Sequence, residues 1–155
     1  MTAPTPLDEP GPLENALSRL QCVLVARRAR YTPEAVSWSQ YDILELLRLQ
    51  GRMTPSQLGE RLGVARTGVS KALRVLKDLG LVTQAQGGGD RREQLTLLTD
   101  SGRDFLARAA SGRHDAAQRV LAALTQGEQA IFTELCEKAC SALETQGEQG
   151  QAVRP

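Results

Sequence analysis

The sequence predicts a mainly α fold carrying one small β-ribbon, and three observations predict it. Apolar residues recur at intervals of three and four over most of the chain, the period of an amphipathic helix. One stretch breaks that period: two short runs, Leu81-Val82-Thr83 and Leu95-Thr96-Leu97-Leu98, flank a glycine-rich loop and read as a hairpin. The third is order. From Thr54 to Gly102 the chain reads helix, helix, strand, basic loop, strand, helix start, which is a helix-turn-helix followed by a β-ribbon wing. The expected organisation is an arm at 1–12, a single domain over 13–145 and a frayed tail at 146–155. Within the domain, 37–99 forms the winged lobe, while 13–36 and 100–145 are helices of a second, dimerising lobe.

Each element has a local reason. Residues 1–12 hold Pro4, Pro6, Pro10 and Pro12 and are expected to form an arm that is disordered or orders on contact. Leu13, Ala16, Leu17, Leu20, Val23 and Leu24 make the stripe of a first helix that ends near Tyr31 and Pro33. Ser37 or Ser39 caps a second helix bearing Tyr41, Leu44, Leu47 and Leu49. Thr54-Pro55-Ser56-Gln57 is a capping box with proline at the first helical position; Leu58 and Leu62 share a face, and Gly63 ends that short helix. Arg66 to Leu79 forms the next helix, with Val69, Ala72, Leu73, Leu76 and Leu79 buried and Gly80 as its stop. Gln86 to Arg92 forms the wing loop, and Thr99 caps a long helix from Asp100 to Leu124. That helix carries Phe105, Leu106, Ala109, Ala116, Val120 and Leu121, with a polar interruption at Gly112-Arg113-His114-Asp115 where a bend is expected. Thr125-Gln126-Gly127-Glu128 is a second capping box, opening a last helix with Ala130, Ile131, Leu135, Ala139 and Leu143.

The polar residues left over are suited to duplex DNA. A helix-turn-helix places its second helix in the major groove, leading with its N-terminal residues. Arg66, Thr67, Ser70, Lys71 and Arg74 lie opposite the apolar stripe. Thr67, Ser70 and Lys71 can reach base edges or phosphates, and Gly68 leaves room for close approach. Arg74, Thr54 and Ser56, the latter two at the start of the preceding helix, suit phosphates, which fix register without reading sequence. Arg91 or Arg92 can enter the adjacent minor groove, where negative potential is focused. Asp90 has the wrong charge for DNA and is expected to pair with an arginine and shape the wing. From Arg61 to Arg92 there are seven Arg/Lys against Asp78 and Asp90, a local net of +5 in a chain of net charge +1. The basic surface is therefore local, which fits steering toward phosphate.

Composition excludes other classes. Aromatics are 3% of the chain, too few for a base-stacking platform on single strands or RNA. No nucleophile–base pair stands out, and Gly87-Gly88-Gly89 lacks the Lys-Ser/Thr of a phosphate-binding loop, so the expectation is no enzyme and no cofactor. The single histidine, His114, argues against a tetrahedral metal site. No run is long and apolar enough to span a bilayer and no signal peptide opens the chain, so a cytoplasmic location is expected.

The segment resembles the DNA-binding lobe of the MarR family of bacterial transcription regulators. The likeness rests on Thr67-Gly68-Val69-Ser70-Lys71, Leu79-Gly80-Leu81-Val82, the wing Asp90-Arg91-Arg92 and Leu98-Thr99-Asp100-Ser101-Gly102, and with the flanking helices it covers 13 to about 145. The resemblance implies an obligate homodimer with interlocked terminal helices, binding a pseudo-palindromic operator as a repressor. It also implies release by a small phenolic or anionic ligand held between the lobes, in a crevice drawing on Trp38 and Tyr41, with Arg28 meeting an anion. A peroxide-sensing branch of the family carries a reactive cysteine early in its first helix, with two tyrosines beside it. Here Leu13-Glu14-Asn15-Ala16-Leu17 is similar to its lead-in, but Ser18 follows; Cys22 lies one turn later, and Tyr31 and Tyr41 lie near the expected tyrosine positions. Two alternatives therefore stay open: a thiol-based oxidant sensor through Cys22, and a winged-helix module that binds protein rather than DNA. Cys136 and Cys140, four apart on the last helix, complete an odd cysteine count that cannot form a disulfide framework.

Overall fold

The structure, a computed structural model, describes residues 9–31, 35–86 and 94–149, with side chains described to 144. The chain divides into two units, Met1–Thr32 and Pro33–Pro155. The first contributes one helix, α1 (Pro12–Arg28). Pro12 suits its first turn, and Glu14 at the start with Arg27 and Arg28 at the end oppose the helix dipole. None of its residues is buried, and the stripe Leu13, Leu17, Leu20, Val23 and Leu24 is exposed along its length.

The second unit runs α2 (Trp38–Gln50), α3 (Pro55–Leu62), α4 (Arg66–Asp78), β1 (Val82–Gln86), β2 (Gln94–Leu98), α5 (Asp100–Arg108), α6 (Ser111–Ala123) and α7 (Gln126–Gln149). Its core is Ile43, Leu44 and Leu47 of α2, Leu58 of α3, Val69, Leu73 and Leu76 of α4, Val82 and Leu98 of the ribbon and Leu106 of α5. Each fully buried aliphatic chain contributes roughly 1.5–3 kcal/mol, so these periodic leucines hold the lobe together.

The ribbon is antiparallel, pairing Val82 with Leu98 through Gln86 with Gln94. It is tied to the helices through Met53, whose backbone exchanges hydrogen bonds of 3.1 and 2.8 Å with Thr96. That bridge sets α3 beside the base of the wing. At the other end, the Thr99 hydroxyl donates to the Gly80 carbonyl (2.6 Å) and accepts the Gly102 N–H (3.0 Å). Thr99 thus caps α5 and joins it to the end of α4.

Several boundaries differ from expectation. The long helix is interrupted at Ala109 and Ala110, before the polar Gly112–Asp115 stretch, which lies inside α6. Backbone tightening after Arg108 makes that break with no glycine or proline. The first strand runs on to Gln86, because cross-strand bonds from Gln94 to Leu98 order the polar Gln84, Ala85 and Gln86. Helix α7 reaches Gln149, past the expected boundary at 145, through a sequence rich in helix-forming Glu, Gln, Ala and Leu.

Two ion pairs join the outer helices to the core lobe. Arg113 of α6 donates to both Glu45 carboxylate oxygens of α2 at 2.9 Å. Arg61 of α3 pairs with Glu144 of α7. Both are partly solvated and worth about 1 kcal/mol or less, so they orient helices more than they stabilise the fold. The apolar residues of α6 and α7 stay open: Val120, Leu121, Ile131, Phe132, Leu135 and Leu143 are all exposed.

Candidate nucleic-acid interface

The helix-turn-helix begins with the capping box expected of Thr54. Its hydroxyl accepts the Gln57 N–H (3.2 Å), and the Gln57 side chain accepts the Thr54 N–H (2.9 Å). Thr54, expected at a phosphate, is 9% exposed, and its hydroxyl serves this cap as an acceptor. Ser56, two positions on, is exposed and faces solvent. Leu58 anchors α3, and Gly63 ends it in the left-handed conformation (φ 63°) that glycine adopts without strain.

The turn into α4 is tight. A Cβ on Gly59 would come 2.9 Å from the Val64 carbonyl, and one on Gly68 would come 2.9 Å from Val64 Cγ1. Gly68, expected to admit a close DNA backbone, is exposed at the start of α4, and Val64 Cγ1 also crowds the space a side chain there would need.

Helix α4 buries Val69, Ala72, Leu73 and Leu76. Arg66, Thr67, Ser70, Lys71 and Arg74 are exposed on the other side, so the structure brings these expected contacts onto one surface. Among the described residues, no carboxylate lies within ion-pair distance of Arg66, Lys71 or Arg74. Ala65 at the N-cap offers no side-chain acceptor to the first N–H groups, so the leading end of α4 presents positive charge and orphan donors together. Lys77, farther along, donates to Gln84 Oε1 of β1 (3.0 Å) and fixes the helix to the ribbon. Asp90, Arg91 and Arg92 lie outside the described residues.

The expected ligand residues fall in different units. Trp38 and Tyr41 stack edge-on at 5.4 Å on α2, whereas half-buried Arg28 belongs to α1. Sequence reasoning missed the partner the structure supplies. Arg113 Nη1 lies 3.4 Å from the Tyr41 hydroxyl while bound to Glu45. Glu45 also accepts from Arg48 at 2.6 Å, which raises the Arg48 pKa above its ordinary value. Glu45, four residues after Tyr41 on α2, was the available signal; the 68-residue separation of Arg113 hid the pairing. Cys22 is exposed on α1, and no described residue hydrogen-bonds its sulfur. The described residues contain no cluster of three metal-ligating side chains, and no helix among them is long and apolar enough to cross a membrane.

Comparison with known proteins agrees with this geometry. A family model described as MarR family matches residues 36–93. An HTH-type transcriptional regulator of Mycobacterium bovis is 31% identical over 128 residues, covering 81% of this chain and 89% of that relative. The solved structure of PcaV, a transcriptional regulator of Streptomyces coelicolor in complex with its natural ligand, is 26% identical with a TM-score of 0.57, covering 92% of this chain and 99% of that one. BpsR of Bordetella bronchiseptica, whose DNA binding is regulated by 6-hydroxynicotinic acid, shares the fold at 22% identity and a TM-score of 0.62, covering 83% and 98%.

Proposed function

The chain belongs to the MarR family of transcription regulators, and from that premise we propose that it is a homodimeric repressor of a pseudo-palindromic operator, released by a small phenolic or anionic ligand. The observation that carries the reading is the exposed face of α4, where Arg66, Thr67, Ser70, Lys71 and Arg74 stand together without acidic neighbours among the described residues. Two such helices, related by a two-fold axis, meet successive major grooves about 34 Å apart. Ser56 at the start of α3 and Arg91 and Arg92 of the wing hold flanking phosphate and minor groove. Asp90 sets the wing.

The ligand reading is supported by the aromatic pair Trp38 and Tyr41 and by Arg113, whose Nη1 lies beside the Tyr41 hydroxyl as an anion partner. PcaV, solved in complex with its natural ligand, and BpsR, whose DNA binding is regulated by 6-hydroxynicotinic acid, support an effector of this class.

The test is fluorescence anisotropy on the palindrome upstream of the protein's own gene. Affinity should fall steeply with salt, and Lys71→Ala with Arg74→Ala should flatten the log–log slope by about 0.9 for each phosphate no longer neutralised. A duplex affinity that ignores both salt and these substitutions would leave the winged lobe a protein-binding module.

A further inference from the structure

The proposed function leaves Cys136 and Cys140 without a task. Both are free, exposed and four residues apart on α7, so they are neighbours on one face. Their spacing decides what they can do. Side chains at this interval have Cβ atoms about 5–6 Å apart, whereas a disulfide needs about 3.5–4.5 Å. A direct sulfur–sulfur bond within the helix is therefore strained, but one atom bonded to both sulfurs spans the gap. That atom must be satisfied by two thiolates, because no described cluster supplies three metal-ligating groups. Zinc, which wants four protein donors in a closed site, is unsuited.

We propose that Cys136 and Cys140 form a dithiol site for monosubstituted trivalent arsenicals. Arsenic keeps its own carbon substituent and exchanges two hydroxyls for two sulfurs: RAs(OH)2 and two Cys–SH give RAs(S–Cys)2 and two waters, with no change of oxidation state. Phe132, Cys136, Cys140 and Glu144 form one row at successive turns, and Glu144 at its end pairs with Arg61 of α3. The row Ile131–Leu135 lies beside it, so the thiols flank the open apolar surface.

The experiment treats the reduced full-length protein with phenylarsonous acid in about 10 μM glutathione, a hundredfold below the roughly millimolar effective concentration at which the second thiol acts, so a chelate outlasts a single-thiol adduct. Intact mass should show one phenylarsenic per chain with loss of two hydrogens. Cys136→Ser and Cys140→Ser should each abolish the adduct, and Cys22→Ser should retain it. Circular dichroism of each variant confirms that α7 stays helical. An adduct that persists in either single α7 variant, requires Cys22, or joins two chains overturns the site, as does its absence from the unmodified protein. These readouts involve no DNA, so failure here is distinct from failure of the repressor reading.

Discussion

Gly102 has no functional atom, yet the winged lobe depends on it. A Cβ there would collide with the Leu81 carbonyl oxygen and carbon and with Leu98 Cδ2 at 3.2 Å. The collision is with backbone, so no side-chain rotation relieves it; either α5 or the start of β1 must move. Overpacking of this kind costs about 1–3 kcal/mol, and the backbone partner puts this case at the upper end. Gly102→Ala should therefore lose about 2–3 kcal/mol in urea unfolding, read as a lower midpoint at unchanged slope. An unchanged midpoint would mean that α5 is free to shift from Leu81. Thr54 and Gly68 each have a local duty beside the DNA contact expected of them. The same hydroxyl that suits phosphate is used as a cap, and the same missing side chain that suits DNA is filled by Val64.

At the scale of elements, the signals legible in the sequence were those with short-range causes. The capping boxes at Thr54 and Thr125, the Thr99 cap and the stripe of α4 each depend on residues within one or two turns, and each is present in the structure, except that Leu79, expected in the buried stripe, is the exposed C-cap of α4. The extent of β1 and the break between α5 and α6 were not legible, because ladder partners and helix packing set them at a distance. The pairing of Arg113 with Glu45 was hidden for the same reason, although Arg113 itself stood out as part of a polar interruption. The cap at the start of α7 also has a pH signature. Glu128 accepts the Thr125 N–H (2.8 Å) and hydroxyl (2.9 Å), and these bonds favour its charged form and lower its pKa. A carboxylate with a lowered folded-state pKa stabilises the fold above the ordinary glutamate range, and that contribution is lost as pH falls through the folded value. The Thr125 amide proton should accordingly titrate in NMR with a midpoint below the ordinary glutamate range. Glu128→Gln should abolish that titration. A midpoint at or above the ordinary range would show that the cap does not favour the carboxylate.

For the whole molecule, the uncovered helices state what is missing from a single chain. Leu13 of α1 is 72% exposed, and Ile131 and Leu135 of α7 are 59% and 55% exposed. Side chains of this kind recur on α1, on α6 and on α7, and each helix keeps its own apolar stripe open to solvent. In the proposed homodimer a second copy covers these stripes, and a two-fold axis makes the cover self-complementary. Substitution of Leu135 separates this reading from its rival. In an isolated protomer an exposed Leu135→Glu should change stability by no more than about 0.5 kcal/mol, as surface changes do. In a dimer it buries an unpaired charge in each copy, which the interface cannot accommodate. Sedimentation velocity at micromolar concentration should show a dimer for the unmodified protein and a folded monomer for Leu135→Glu. Operator affinity should fall by at least about 100-fold, because each half-site is then bound without the effective concentration its partner supplies. If the variant remains a dimer with full affinity, α7 is not the joining surface. If the unmodified protein is itself a monomer that binds the palindrome tightly, the two-fold mechanism fails as a whole.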